Sequence, residues 1–494
     1  MRTITILMDS LNRRYLSAYG NEWVKTPNID RLVEKSVKFN NHFAGSLPCM
    51  PARRELWTGR YNFLETPWSP LQPYDICFTH QLQKQKGTYT HLISDHYHYW
   101  EVNGTGYELV FDTWEFVRGQ EGDPWRPMVV KPNTPEIPDG IGRSSTYGKL
   151  YTQDWVNRSF MDSEKDTDYP TVKCFEKAIE FLDINHNADN WHLHLEVFDP
   201  HEPFHCPEEY VKLYGDTWDK FYYDWPNYAP VDDEKEGKEA IDHIRKRYAA
   251  CVTRADRWLG KLLDAMDKNN MWEDTAIVLT TDHGYMLGEH NYWAKNYMFD
   301  YEQIAKIPLI IYHPKVSDTP KVINSLTATI DIPLTILEMH EVAPMENVHG
   351  KSLMHLLEED SQHHEWLLYG YFGKDVSITN GEITYTRQPL DDSIVHNHTA
   401  MPFDYQCSPD KYHNAEMGKF LTYTNMPVYR LEEKSFKHHN APNHNLIYNI
   451  KEDPNQLSPI EDRELEDKLT KQMVQMLDEV DAPECQYVRL GLNH

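Results

Sequence analysis

Thr3-Ile4-Thr5-Ile6-Leu7-Met8-Asp9-Ser10 is an apolar run of strand length that ends on a carboxylate and a hydroxyl. Preceded only by Arg2, it is too short for the apolar centre of an export signal and reads as a buried strand. The same pattern recurs further along. A strand at about Thr90 to Ser94 leads into Asp95 to His98, and His192-Leu193-His194-Leu195-Glu196-Val197-Phe198 leads into Asp199 to His201. Ala276-Ile277-Val278-Leu279-Thr280 leads into Asp282-His283, and Pro308-Leu309-Ile310-Ile311-Tyr312 is a further apolar strand. Helical spacing lies between them. Thr26 caps a helix from Pro27 through Val37, a second runs from about Thr171 to Leu182, and a third from about Asp232 to Asp267. Ile241, Ile244, Tyr248, Val252, Trp258 and Leu262 form the apolar side of the third. Short apolar strands separated by helices predict an α/β fold: a large, mostly parallel sheet flanked by helices. Ligands of such sheets gather beyond the carboxyl ends of the strands, where four polar clusters fall here.

After about residue 363 the pattern changes. Leu367 to Tyr371, Ser377 to Arg387 with Asn380-Gly381 at its middle, and Lys419 to Tyr423 read as antiparallel strands, the second as a hairpin. With a final helix from about Glu461 to Glu479, the expectation is a catalytic α/β domain over 1–363 and a smaller α+β domain with an antiparallel sheet over 364–494.

Composition narrows the class. Of 494 residues, 49 are Lys or Arg and 77 Asp or Glu, a net charge of −28 that opposes non-specific binding to nucleic acid or anionic lipid. Mean hydropathy is −0.70, and no apolar run approaches the roughly 20 residues of a membrane span. Seven cysteines, an odd number, fit reduced thiols better than a disulfide framework, and with no export signal the expected location is the cytoplasm.

The most informative stretch is Ser46-Leu47-Pro48-Cys49-Met50-Pro51-Ala52-Arg53-Arg54-Glu55-Leu56-Trp57-Thr58-Gly59-Arg60. Pro51 suits the first turn of a helix, which puts Cys49 near its N-terminus. The positive helix end and Arg53, one turn on, would hold an anion against residue 49. From these residues alone the stretch is either a reactive thiol or anion site, or a buried structural cysteine. The segment resembles the signature of the type I sulfatases, C-x-P-x-R followed by an apolar pair and Thr-Gly. Thr26-Pro27-Asn28-Ile29-Asp30-Arg31-Leu32, His201-Glu202-Pro203-Phe204, Thr281-Asp282-His283-Gly284 through His290, and Trp293-Ala294-Lys295 resemble further motifs of that family. The fold implied is that of the alkaline phosphatase superfamily.

The resemblance implies that Cys49 is oxidised to formylglycine by a maturation enzyme, and that the hydrated aldehyde attacks the sulfur of a sulfate ester. It implies that Asp9, Asp282, His283 and residue 49 hold one divalent metal ion, Mn2+ or Ca2+. Ser10 stands where most members have a second Asp, and His283 where many have Asn. Fewer anionic oxygens and one nitrogen ligand shift the preference toward Mn2+. Arg53 and Lys295 would neutralise the transferred group, and His201 would protonate the leaving oxygen. The family's Lys-x-His corresponds to His96-Tyr97-His98, with His98 as base and His96 in place of the lysine, or, with the alignment shifted by two residues, the two histidines in exchanged roles. A histidine supplies its charge only in part at neutral pH, which predicts a more acidic activity optimum than a lysine would give.

The activity implied is hydrolysis of a sulfate monoester, with a phosphonate monoester or phosphodiester hydrolase of the same superfamily as the alternative. Ser10 and Asp282-His283 favour the latter; His96-Tyr97-His98, where phosphonate hydrolases have Tyr-x-Thr, favours sulfate. A third reading is an unmatured homologue that only binds anions. The net charge favours a small or sparsely sulfated substrate, and a homo-oligomer is the default assembly. His290 is expected to support the site from behind and His194 to be core; His396-His398 lies beside an irregular stretch, where an ordinary surface or packed pair outweighs a place at the substrate mouth.

Overall fold

Strand β1 (Arg2–Met8) is buried along its whole length and lies in the middle of the principal sheet of a computed structural model that describes residues 1–143, 148–316, 319–402, 412–438 and 444–492. The chain continues through helix α1 (Pro27–Val33), β2 (Val37–Phe43), β3 (Ser46–Leu47), helix α2 (Cys49–Thr58), β4 (Tyr89–Ser94), β5 (Thr113–Phe116), helix α3 (Pro170–Asn185) and β6 (Trp191–Val197). Helix α4 (Gly237–Lys268) precedes β7 (Thr275–Thr280), the short pair β8 (Met286–Leu287) and β9 (Trp293–Ala294), then β10 (Leu309–Tyr312), β11 (Lys321–Ala328) and helix α5 (Ile332–Met339). The principal sheet has eight strands in the order β11-β2-β10-β7-β1-β6-β4-β5. β1 is parallel to both β6 and β7, and β4 to β5 and β6. β10 runs antiparallel to β2 and β7, so the sheet is mostly rather than wholly parallel. Its central strands carry Ile, Leu and Val on both faces because helices cover both, and α3 and α4 pack their apolar sides over β1 and β6.

Two local expectations are corrected. α1 ends at Val33 rather than Val37: the Ser36 hydroxyl donates to the Leu32 carbonyl at 2.6 Å, and Val37 already pairs in β2. Lys419 to Tyr423 is not a strand; the strand lies just before it, at Glu416–Gly418.

The remaining strands are β12 (Leu367–Tyr371), β13 (Val376–Thr379), β14 (Ile383–Arg387), β15 (Ile394–Thr399), β16 (Glu416–Gly418), β17 (Val428–Lys434) and β18 (Leu446–Asn449). β13 and β14 form the expected hairpin: Gly381 takes φ 85°, and the Asn380 side chain accepts from the Glu382 and Ile383 amides. The second sheet has the order β18-β14-β13-β12-β3, and β15-β17-β16 forms a third. Helix α6 (Arg463–Glu479) starts at Asp462, whose carboxylate accepts from the Leu465 amide at 3.0 Å, and buries Leu469, Met473 and Leu477 in the core of the second sheet.

β3 comes from the N-terminal part of the chain yet pairs in parallel with β12, Ser46 opposite Gly370 and Leu47 opposite Tyr371. The residues immediately before Cys49 are therefore strapped to the C-terminal sheet. Cysteines 49, 77, 174, 206, 251 and 485 are free thiols, and Cys407 lies outside the described residues. No helix among the described residues is long and apolar enough to cross a membrane.

Candidate active site

The pairing of β1 between β6 and β7 brings three strand ends together. Asp9 follows β1, Asp282-His283 follow β7, and Cys49 opens α2 over them. Ligand atoms of Asp9, Cys49, Asp282 and His283 all lie within 4.8 Å of one another, and all four residues are buried. Ser10 turns the chain in the left-handed region (φ 60°), which lets its amide donate to Asp282 Oδ1 at 3.0 Å and its hydroxyl to Asp9 Oδ1 at 2.8 Å. The His283 amide also donates to Asp282 Oδ1, at 2.8 Å. His283 Nδ1 lies 2.8 Å from the Gly284 carbonyl, a contact that puts its proton on Nδ1 and leaves Nε2 as an acceptor, 3.2 Å from Cys49 Sγ. Burial pushes this imidazole down to about 4, so it is neutral. Gly284 is required here because a Cβ would lie 1.9 Å from the Gln303 carbonyl oxygen.

Two carboxylates, one neutral imidazole and the residue-49 side chain, converging in a buried space, are a donor set that fits a single divalent cation. Burial raises the Cys49 thiol well above its usual range, so as a cysteine it is protonated.

Arg53 lies in the second turn of α2 with every N–H occupied. Nη1 donates to the Cys49 carbonyl (2.9 Å) and Asp282 Oδ2 (2.7 Å), Nη2 to Asp9 Oδ2 (2.7 Å) and Glu196 Oε1 (2.5 Å), and Nε to Glu196 Oε1 (2.8 Å). Burial alone would raise the Asp9 carboxyl, but His201, Arg53, Lys295 and His283 outweigh it and hold Asp9 well below the usual carboxylate range. Lys295 is buried, which would lower it, yet the carboxylates of Glu202, Asp9 and Asp282 hold it above its usual range; its Nζ is 3.2 Å from Ser10 Oγ.

His201 is nearly buried, with Nδ1 2.6 Å from the Glu202 carbonyl and its ring against Phe198. His96 is fully buried, with Nδ1 3.7 Å from Asp9 Oδ2 and neither nitrogen hydrogen-bonded. Burial, then the charge of Arg53, holds its imidazole well below the ordinary value, so His96 is neutral and does not supply the partial charge expected of it in a lysine's place. His98 stands further out. Its Nδ1 is 2.7 Å from Glu101 Oε2, its Nε2 3.6 Å from Glu121 Oε2, and Trp68 packs edge-on at 5.1 Å.

Glu196, Glu202, Glu101, Glu121, Tyr99 and Trp68 belong to these contacts and were not singled out in the sequence. Glu196 had one signal: it is a carboxylate inside an otherwise buried strand. Tyr99 donates to its Oε2 at 2.6 Å. His194 is core, against Trp57, and His290 stacks on Tyr301 with ring centroids 3.7 Å apart. His396 and His398 face a separate cavity with Phe420, Arg430 and Cys485 rather than the Asp9 cluster.

The Sulfatase family model matches residues 2–342. An arylsulfatase of Clostridium perfringens is 24% identical over 413 residues, 75% of this chain and 82% of that protein. Human iduronate 2-sulfatase is 28% identical over 349 residues, 64% of this chain and 60% of its own. A phosphonate monoester hydrolase of Agrobacterium radiobacter superposes with TM-score 0.67 at 19% identity, covering 97% of this chain and 95% of that one. A structure solved with its substrate D-glucosamine-2-N,6-O-disulfate superposes with TM-score 0.65 at 17% identity, covering 97% and 96%.

Proposed function

The chain belongs to the sulfatase family and is a sulfatase, and from that premise we propose that it hydrolyses a small sulfate monoester, with its nucleophile made from Cys49 and one divalent ion, Mn2+ or Ca2+, held by Asp9, Asp282, His283 and residue 49. The observation that carries this reading is the convergence of those four side chains, with Arg53 and Lys295 beside them. A formylglycine at position 49 would supply the hydroxyl that a buried, protonated thiol lacks, and a cation beside it would supply positive charge for the sulfate oxygens.

The chain's own residues account for the rest. Arg53, bonded to Asp9, Asp282 and Glu196, fixes both metal-facing carboxylates and the first turn of α2. Lys295, charged and anchored near Ser10, faces the same space and neutralises the non-bridging oxygens of the ester. His201, with Nδ1 held by the Glu202 carbonyl, presents Nε2 to protonate the alcohol oxygen as the S–O bond breaks. His98 is assigned as the base for residue 49 on its motif position alone, since its Nδ1 is held by Glu101 and its Nε2 faces Glu121 at 3.6 Å. His96 acts as a neutral wall against Asp9. Sulfated sugars are the substrate class favoured, since iduronate 2-sulfatase is a relative and a structural neighbour was solved with a sulfated glucosamine.

The test is direct. Intact-mass analysis should show residue 49 about 18 Da lighter than cysteine after maturation. The matured protein should turn over 4-nitrophenyl sulfate in preference to phenylphosphonate and a bis-aryl phosphate, and Cys49→Ala should abolish turnover. A phosphonate or diester advantage above about tenfold, roughly 1.4 kcal/mol in barrier, would reject the sulfate reading.

A further inference from the structure

A second cluster of ligating side chains lies outside the active site, where the end of β11 meets the segment entering β12. Asp331 stands at the start of α5, fully buried, and the consecutive residues His363 and His364 both turn toward its carboxylate. His364 Nε2 is 2.8 Å from Oδ1 and His363 Nε2 is 3.3 Å from Oδ2, and the ligand atoms of the three residues lie within 4.8 Å of one another. Each oxygen also accepts one main-chain amide, from Lys351 to Oδ1 at 2.9 Å and from Ala328 to Oδ2 at 2.8 Å. The carboxylate is therefore immobilised, with one lone pair of each oxygen left for the imidazole side.

Asp331 holds His364 with a short, well-aligned hydrogen bond and His363 with a weaker one. The His363 side chain is 1% exposed, and its Nε2 faces Oδ2 at 3.3 Å, off the line of a well-formed hydrogen bond. His42, an electrostatic neighbour of all three residues, has a buried Nε2 with no partner. Metal–ligand bonds of about 2.0–2.2 Å at tetrahedral angles separate neighbouring donor atoms by roughly 3.3–3.6 Å; the His363 Nε2–Oδ2 distance of 3.3 Å already meets that spacing, and the His364 Nε2–Oδ1 pair at 2.8 Å would open by about half an ångström around an ion. A cavity of about 510 Å³, lined by His349, Lys351, Gln362 and Glu479, opens on His363 and His364 and gives an ion both a route in and a fourth, water-filled position.

We propose that Asp331, His363 and His364 form a second metal site, separate from the catalytic one, that takes a zinc-type divalent ion. Two imidazoles and one carboxylate favour Zn2+ over Ca2+ or Mg2+, which prefer sets made of oxygens. An ion there would tie the turn after β11 in the principal sheet to the segment that feeds β12 in the second.

The test uses the full chain stripped with a chelator and reloaded with Zn2+ alone or Co2+ alone. Wild type should bind Zn2+ with a rise in its thermal midpoint, and the response should persist in Asp282→Asn, in which the catalytic ligand set is broken. His363→Ala and His364→Ala should each weaken Zn2+ binding by about tenfold or more and remove the thermal response. If either variant fails to fold, the Co2+ spectrum decides: visible d–d absorption retained in Asp282→Asn supports the site. Zn2+ binding that vanishes in Asp282→Asn, or that is unchanged in foldable His363 and His364 variants, would leave a hydrogen-bonded Asp–His cluster only and overturn the proposal.

Discussion

Replacing Glu196 with Gln keeps the shape of the side chain that holds Arg53 and removes its charge. Two of the five bonds made by the buried guanidinium end on Glu196 Oε1, and the Tyr99 hydroxyl donates to Oε2. A glutamine carbonyl in the place of Oε1 retains both arginine bonds, now without the anionic partner. Its NH2 then meets Tyr99, which must turn its proton away. Losing the charge assistance of two bonds costs about 1 kcal/mol each, and the displaced Tyr99 proton about 1 more. Burial, which pushes the Glu196 carboxyl upward, returns part of that, because a neutral amide carries no desolvated charge; the net loss is about 2 kcal/mol. Glu196→Ala leaves two N–H groups of a buried cation without acceptors and should cost about 3–5 kcal/mol. Urea unfolding followed by tryptophan fluorescence measures both, and kcat/KM for 4-nitrophenyl sulfate should fall about tenfold in the Gln variant as Arg53 and its two other carboxylates loosen. A Gln variant with the wild-type urea midpoint, together with an Ala variant no weaker than Gln, would refute the view that this carboxylate fixes the arginine.

Four other outcomes are expected. Gly284→Ala would place a methyl group 1.9 Å from the Gln303 carbonyl oxygen and must displace Asp282 and His283, so kcat/KM should fall about a hundredfold; wild-type turnover would contradict the close approach. Tyr371→Phe removes the hydroxyl that donates to the Lys295 carbonyl and should lower kcat/KM several-fold with about 1 kcal/mol of stability, measured by parallel kinetics and urea unfolding. Burial, then the N-terminal ammonium, pushes His340 down to about 4, while Nε2 contacts Thr3 Oγ1 at 2.8 Å. Because that value lies below the unfolded one, its contribution is complete above pH 6.5 and is lost as pH falls toward 4, at up to about 1.4 kcal/mol per pH unit; His340→Gln should flatten the acid limb of a stability–pH curve by about one proton. Dialysis of the matured enzyme against a chelator should stop turnover, and Mn2+ or Ca2+ should restore it; undiminished turnover after chelation would remove the cation from the reaction.

Asp9, Asp282, His283 and Cys49 were legible because each is written locally: an apolar strand followed at once by a polar group, or a cysteine ahead of a proline in a helix start. The position of β1, β4, β6, β7 and β10 was legible for the same reason. β2 was hidden behind Asn40-Asn41-His42, which break its alternation, and β5 is too short and exposed to show a period. The neutral state of His96 is a tertiary fact. It depends on burial beside Arg53, a residue brought there by a different element, and no spacing within Ser94 to Trp100 encodes it. Glu196 was visible as a residue but not as a partner, since only the folded sheet shows that the second turn of α2 passes over β6. The pairing of Ser46-Leu47 with β12 had no signature, because two residues carry no periodicity.

That pairing sets an order of events during synthesis. The strap beneath the reactive residue is completed by Gly370 and Tyr371, which leave the ribosome long after Cys49 has emerged. Until they arrive, Ser46 and Leu47 lack their neighbour along one edge. A nascent chain halted ahead of β12 would therefore hold the strands of the principal sheet while Ser46 and Leu47, just ahead of Cys49, still lacked their partners Gly370 and Tyr371.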